Sequence, residues 1–331
     1  MRFRVGMSIC SSLLLAAISA SVCAGSVDAP ENSSTGSSVS KVRAVTNEYT
    51  DSLLTTKALQ LLYGNDAEIQ VDKTSGQISA IWKPTPEIND QLFPDGETGP
   101  EVRSIVNLVL PIGISGVKRY LILTASSPYF PDKKEPLYDC HGCSAALGGA
   151  VITVDQGTWK ATVKSLHIDN FGAWGSIPSG QMILIGPSAF GVRFDLDYTD
   201  QGDTNSSMVI VGQVGNELKT ILDIPTAASD TEGSCADTAE EAKGQGKKFN
   251  PKLWCYEYVS DYRFIMHPGS DIYDLVVNYA GTDDDENSQV PEGMKIVDVT
   301  RTDTYSWDGA KYILASSKKG ATQFTRDVTS N

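Results

Sequence analysis

The stretch "GAVITVDQGTWKATVKSL", residues 149–166, has the pattern of a β-hairpin. Apolar and polar residues alternate in two runs, and Gln156-Gly157 lies between them. Alternation places the apolar side chains of a strand on one face, and glycine permits the backbone of a tight turn. Similar pairs of runs follow one another from residue 103 to about residue 316. We therefore predict an all-β chain built from antiparallel hairpin units.

The predicted strands fall into three four-strand units, which begin near residues 103, 180 and 254. Two hairpins in series match one blade of a propeller, although a propeller usually has four or more blades. The same strands suit a β-sandwich of two packed sheets. The sequence leaves the propeller-like and the β-sandwich architectures both open.

One short helix is predicted ahead of these strands. In "TDSLLTTKALQLLYG", residues 50–64, Leu54, Ala58 and Leu62 recur at helical spacing, which predicts a helix over about 50–63. Residues 67–83 have the pattern of a further hairpin. The helix and the hairpins together make up the predicted all-β domain, residues 46–316.

Three other segments of the chain are predicted to lack regular structure. Residues 84–100 contain four prolines and are predicted to form a loop. Residues 229–255 interrupt the strands with helix formers, glycines and lysines. We interpret them as a mobile surface loop, with one helical turn as an alternative in its middle, held at its base by Cys235–Cys255. Residues 317–331 are assigned to a flexible C-terminal tail.

The N-terminus has the three parts of a secretory signal peptide. Arg2 and Arg4 precede an apolar run, and small residues end it at Ala24, where we place the cleavage site. Cys23 offers an alternative, a lipid anchor, but its surroundings match the lipoprotein pattern poorly. Residues 25–45 are rich in serine and predict a disordered tether. The expected location is periplasmic or secreted, and no later run is apolar and long enough to span a membrane.

The mature chain is acidic and long enough for a full core. Cleavage leaves 307 of the 331 residues and removes two positive charges, which changes the net charge from −14 to −16. Such a chain is repelled by nucleic acid and by anionic lipid surfaces. We expect no nucleic-acid partner, and we consider an envelope protein or a glycan as the partner.

Four cysteines remain after cleavage: Cys140, Cys143, Cys235 and Cys255. An even number in an exported chain predicts two disulfides, for which we favour the local pairs Cys140–Cys143 and Cys235–Cys255. A c-type haem site needs histidine directly after the second cysteine, whereas His141 lies between the first two. The glycines that follow Cys143 end any helix early, so a reactive thiol at a helix start is disfavoured. The role of His141 stays open.

Two clusters are candidates for ligand binding. In "FGAWGS", residues 171–176, glycines flank aromatic residues in a predicted loop. Exposed there, Phe171 and Trp174, with His141 nearby in the disulfide loop, form a candidate platform for a sugar or a peptide; packing over a sheet end is the alternative. The second cluster is a candidate weak calcium site, with a solvated acidic turn as the alternative. Its members are Asp195, Asp197, Asp200 and Asp203.

Catalytic signatures are absent from the sequence. There is no Gly-x-Ser-x-Gly motif and no His-Glu-x-x-His motif, so we assign no catalytic residue and no cofactor other than the candidate calcium. A pair of hydrolytic carboxylates needs no fixed spacing in sequence. A hydrolase with a carboxylate-based site therefore remains an alternative.

Residues 140 to about 210 resemble a known family. Cys140-His141-Gly142-Cys143, Trp159, "FGAWG" and "IGPSAFGV" are similar to motifs of an uncharacterised family of exported proteobacterial β-rich proteins with a Cys-His-x-Cys loop. The resemblance covers about a quarter of the chain. It implies export and β-structure, and it implies no activity and no catalytic residues. Our leading hypothesis is a non-enzymatic binding or structural module of the bacterial envelope, built from β-hairpin units.

Overall fold

The computed structural model describes most of the predicted domain. The described residues are 52–94, 101–112, 117–130, 142–200, 202–230, 234–267, 269–284 and 296–320. The predicted signal peptide with Cys23, the tether, Cys140 and His141 lie outside these residues.

The first sheet contains six antiparallel strands in sequential order. The hairpin predicted for residues 149–166 lies within it, and both residues of its turn, Gln156 and Gly157, have positive φ (46° and 83°). This backbone is typical of a two-residue hairpin turn. The strands are β1 (Glu68–Val71), β2 (Ile78–Trp82), β3 (Glu101–Pro111), β4 (Lys118–Tyr129), β5 (Ala145–Asp155) and β6 (Thr158–Phe171).

The second sheet contains nine antiparallel strands, in the order β15-β14-β12-β11-β10-β9-β8-β7, with β13 paired to β12. Its last strand continues past the predicted domain boundary at residue 316. The strands are β7 (Gln181–Leu184), β8 (Phe190–Asp200), β9 (Asp203–Val214), β10 (Glu217–Asp230), β11 (Glu257–Ile265), β12 (Asp274–Asp284), β13 (Ile296–Asp298), β14 (Arg301–Trp307) and β15 (Tyr312–Lys319).

The all-β prediction is confirmed, and the arrangement is sandwich-like. The second and third predicted units do not form separate blades, because β10 pairs with β11 at Ala227↔Val259 and Ala228↔Tyr258. This pairing joins the two units into one continuous sheet, whereas each propeller blade is a sheet of its own. The propeller-like interpretation is therefore replaced by two packed sheets.

In the part of the chain that the structure describes, three α-helices accompany the sheets, whereas the sequence pattern predicts one. α1 (Ser52–Tyr63) confirms the predicted helix. α2 (Pro86–Leu92) corrects the loop prediction, because Thr85 accepts a hydrogen bond from the Ile88 amide and proline fits the first turn, where no amide hydrogen is needed. α3 (Ser234–Gly244) lies in the predicted mobile loop, where Ala and Glu favour a helix. None of the helices in the described part of the chain has the length and apolar character of a membrane span.

The main core lies between the two sheets. Leu121, Leu123 and Val151 of the first sheet pack in one cluster with Val192 and Phe194 of the second. The other face of the first sheet is covered by α1 and its neighbouring residues. Burial on both faces explains why β5 is buried almost continuously rather than on alternate residues.

The second sheet is strongly curved. Its own apolar cluster contains Ile183 of β7 together with Leu275 and Val277 of β12, which are far apart in the strand order. The Tyr273 amide donates a hydrogen bond to the carbonyl of Ile185 (2.7 Å) and ties the end of β7 to the start of β12. The curvature leaves the outer half of β8 on the rim of the sandwich, where the candidate site lies.

The predicted disulfide Cys235–Cys255 is confirmed. It joins the start of α3 to the chain just before β11, so the segment between the two is held at its base as expected. Cys143 is also disulfide-bonded, and its predicted partner, Cys140, lies outside the described residues.

Candidate functional site

A cavity of about 790 Å³ lies at one end of the core between the sheets. Phe171, Ile177 and Leu196 line it and also contact the core cluster, so the cavity continues the core outward. We call it the aspartate cleft. Its other lining residues include the carboxylates Asp195, Asp197 and Asp223, the polar Asn205, Ser206 and Ser207, and the rings of Tyr198, Pro225 and Tyr258.

The loop of residues 171–178, between β6 and β7, forms one wall of the cleft. The carbonyl of Pro178 accepts a hydrogen bond from Asn107 Nδ2 of β3 (3.4 Å). The Gly175 amide donates to the carbonyl of Cys143 (2.8 Å). These bonds hold the loop on the first sheet, while the opposite wall belongs to the second sheet.

Trp174 stands in a tight turn of this loop. Ala173 and Ser176 exchange two backbone hydrogen bonds (3.2 and 2.9 Å), and φ is +54° at Trp174 and +63° at Gly175. A bulky residue at positive φ is strained, by about 1–3 kcal/mol. Such strain concentrates at functional positions. The Trp174 side chain is 51% exposed, and Ala173 and Ser176, which enclose it in the turn, both line the cleft.

The three carboxylates of the cleft have different surroundings. Asp195 accepts a hydrogen bond from the guanidinium of Arg193 (2.5 Å), which also donates to the hydroxyl of Tyr262. Asp197 accepts from the Ser206 hydroxyl (2.6 Å). Burial, and then the negative charge of Asp169, raise the pKa of Asp223. Among the described residues that line the cleft, none is Lys, Arg or His, so the cleft is an acidic site.

The predicted platform is only partly as expected. Phe171 is 7% exposed rather than open to solvent, because its ring packs on Phe194 with 5.0 Å between the ring centroids. It contributes to the wall of the cleft and not to an exposed surface. Trp174 is accessible, and His141 lies outside the described residues.

The four aspartates of the predicted calcium site do not act together. Asp195 and Asp197 line the cleft and have the partners given above, whereas Asp200 and Asp203 lie at the β8–β9 turn. Within the described ranges, no group of three or more acidic, histidine or cysteine side chains is placed to hold a metal ion. The arrangement does not support a single calcium site.

Asp203 forms a carboxyl pair with Asp230, which it faces across β9 and β10. Burial and then the charge of Asp230 raise the pKa of Asp203, and a hydrogen bond between the two carboxyl groups adds to the rise. Asp230 is fully buried and accepts a hydrogen bond from the Cys235 amide (3.2 Å). The pair therefore lies beside the disulfide and outside the cleft.

The raised pKa of Asp203 gives a pH-dependent prediction. The folded state binds this proton more tightly than the unfolded chain, so its contribution to stability is lost as the pH rises from the ordinary aspartate pKa through the raised one. Asp203→Asn keeps a donor for Asp230 and carries no charge. We expect its melting temperature to exceed that of the wild type by about 2–3 °C at pH 7, the effect of about 1 kcal/mol, and the difference to shrink towards pH 4.

Thermal melts at several pH values check this, with Asp155→Asn in the β5–β6 turn as the control. A constant difference between Asp203→Asn and the wild type from pH 4 to pH 7 would contradict the prediction.

Asp223 is a cleft carboxylate that the sequence pattern does not identify as a site residue. It lies in "TILDIP", residues 220–225, where the apolar neighbours predict a strand and draw attention away from the acid. The available signal is the acid itself, placed between Leu222 and Ile224 in an otherwise apolar run.

Comparison of the chain with protein-family models, curated proteins and solved structures found no significant match.

Proposed function

We propose that the protein is an exported, non-enzymatic binding module whose aspartate cleft binds a cationic ligand. The observation that carries the proposal is a cleft of about 790 Å³ in which every charged lining residue is an aspartate. A cavity of this size falls in the range of ligand sites, about 300–1,000 Å³. Export is supported by the disulfides, which persist in oxidising compartments.

The charge of the cleft favours a cation. A concave site with carboxylates of one sign focuses the electrostatic field and attracts opposite charge. Arg193 offsets the charge of Asp195, so Asp197 and Asp223 supply most of the attraction. A cation beside Asp223 would stabilise its charged form against burial, and ligand binding would then be linked to loss of a proton.

The apolar lining of the cleft favours a cationic side chain over a small hydrated ion. Phe171, Ile177 and Pro225 lie in the same cleft as the carboxylates. A small hydrated ion makes no use of such surface, whereas lysine and arginine side chains bury an apolar stem and present a charged end. We therefore favour a ligand with basic side chains, such as an envelope protein.

The proposal is tested with hexalysine as the probe, by isothermal titration calorimetry at low salt. We expect binding that weakens as salt is added. The double variant Asp197→Asn/Asp223→Asn should bind about five- to thirtyfold more weakly, because each of the two lost charge contacts contributes about 0.5–1 kcal/mol.

The matched control is Glu240→Gln/Glu241→Gln, which removes the same charge from exposed positions on α3. Equal loss of affinity in both double variants would mean that the overall charge, and not the cleft, attracts the peptide. Absence of hexalysine binding to the wild type would refute the cationic ligand.

One observation favours a second candidate function, a hydrolase. Asp223 has a raised pKa in a cleft, which is the property of a general acid. Turnover of basic peptides or of glycans, detected by mass spectrometry and abolished by Asp223→Asn with binding retained, would favour this candidate over the binding module.

A further inference from the structure

Among the described strands, none pairs with the outer edge of β8 beside the aspartate cleft; we call this the open edge. On one side β8 pairs with β9 from Gly191 to Asp200. On the other side β7 pairs with it only from Phe190 to Arg193. Within the described ranges no strand covers residues 194–200 on that side, and most of them are exposed.

The edge is open because the chain before β7 turns away from it. Pro178 has no amide hydrogen, so β7 cannot continue backward through it as a paired strand. Its carbonyl bonds to Asn107 of the first sheet instead. The turn at Pro178 thereby creates both the open edge and the wall that faces it.

An open edge offers the backbone groups of alternate residues to an incoming strand. Four consecutive residues of this edge, from Asp195 to Tyr198, line the cleft. The edge of residues 194–200 extends about 20 Å at about 3.4 Å per residue, the length of a segment of six or seven residues.

We propose that the ligand is an extended polypeptide segment that adds to the edge of β8 as a further strand, with basic residues at alternate positions. The inference rests on the proposed function and specifies its ligand. The backbone of the segment bonds to the edge, as in other cases of strand addition. The contacts of its side chains with β8 and the cleft determine which peptide sequences bind.

The alternation of β8 determines that preference. Phe194 and Leu196 face the core, so Asp195 and Asp197 project from the opposite face of the strand. Leu196, Asp195 and Asp197 all line the cleft, which therefore reaches both faces of β8 around its edge. Side chains directly across neighbouring strands lie about 5 Å apart. Basic residues at i and i+2 of the segment therefore meet Asp195 and Asp197. The residue between them lies on the core-facing side of the edge, where Pro225 and Asp223 line the cleft and contact an apolar stem or a charged end.

The test uses two synthetic heptapeptides, each with blocked ends. The first is Lys-Val-Lys-Val-Lys-Val-Lys, and the second has the same sequence with N-methyl groups on two adjacent central residues. The methyl groups block backbone donors on both edges of the peptide and leave every side chain and charge in place. We expect the methylated peptide to bind at least tenfold more weakly. Amide hydrogen exchange in residues 195–199 should slow when the unmodified peptide is bound.

The possible results distinguish strand addition at β8 from binding of a cationic ligand in the cleft without strand addition. Equal binding of both heptapeptides without protection of β8 would overturn strand addition and leave the hexalysine result standing. Binding of hexalysine without binding of the unmodified heptapeptide would have the same meaning. Displacement of the bound heptapeptide by a neutral oligosaccharide, with no loss of affinity on methylation, would show that the cleft is a glycan site.

Discussion

The variant Gly172→Ala is expected to disrupt the turn of residues 173–176, which contains Trp174, and to lower the free energy of unfolding by about 2–4 kcal/mol. Gly172 has a φ of +90°, and a Cβ built there would lie 2.0 Å from the carbonyl oxygen of Ser176. The strain of positive φ costs an alanine about 1 kcal/mol, and crowding of the added Cβ costs about 1–3 kcal/mol. Because Ser176 bonds to Ala173 in the same turn, relief of the clash must separate the two strands of the turn.

Chemical denaturation measures the loss of stability. The matched control is Gly157→Ala, at a similar φ of +83° but with no atom within 4 Å of the added Cβ. This control isolates the backbone term, about 1 kcal/mol. If the two variants lose the same stability, the close approach at Gly172 is not the cause. Hexalysine titration of Gly172→Ala then shows whether the cleft depends on its wall.

The double variant Cys235→Ser/Cys255→Ser is expected to lose about 3 kcal/mol. The disulfide closes a loop with a sequence separation of 20 residues, and the chain-entropy model assigns about 3 kcal/mol to a loop of that length. The melting temperature should fall by about 6–10 °C. A second loss of stability is expected at Asp230. Its buried carboxylate accepts a hydrogen bond from the Cys235 amide, and this bond is lost if the start of α3 moves.

Thermal melting of the double variant checks this result. Substitution is preferable to a reducing agent, because a reductant would also open the disulfide of Cys143. A change in melting temperature of less than about 2 °C would show that packing of α3, and not the covalent link, holds this segment. Faster hydrogen exchange confined to residues 234–250 is the expected local effect.

Local pattern was sufficient for the hairpins and for the first helix. The turn at Gln156-Gly157 and the α1 residues follow from alternation, helical spacing and glycine. α2 was predicted as a loop because its segment is rich in proline. Proline breaks a helix in its interior but is favourable in its first turn, and a count of prolines does not distinguish these positions. α3 was predicted as one helical turn at most, because glycines and lysines close behind it resemble a loop.

The candidate site could be predicted only in separate parts. The Trp174 loop and the pair Asp195 and Asp197 were each identified by residue type, but nothing in their spacing brings them together. Asp223 joins them from β10. The cleft exists because β8 and β10 are neighbours of β9 in one sheet while the Trp174 loop is bonded to the other sheet.

The sequence by itself determined the class of the fold, the position of most strands, the cysteine pair at 235 and 255, and the acidic character of the chain. The tertiary structure alone decided that β10 pairs with β11 in one curved sheet and that Phe171 is buried. It also decided that no described strand pairs with the outer edge of β8 beside the cleft. The physical reason is that a period of two specifies which side chains share a face of a strand. It does not specify which strand lies alongside, since backbone hydrogen bonds are the same for every partner and the choice depends on packing between distant residues.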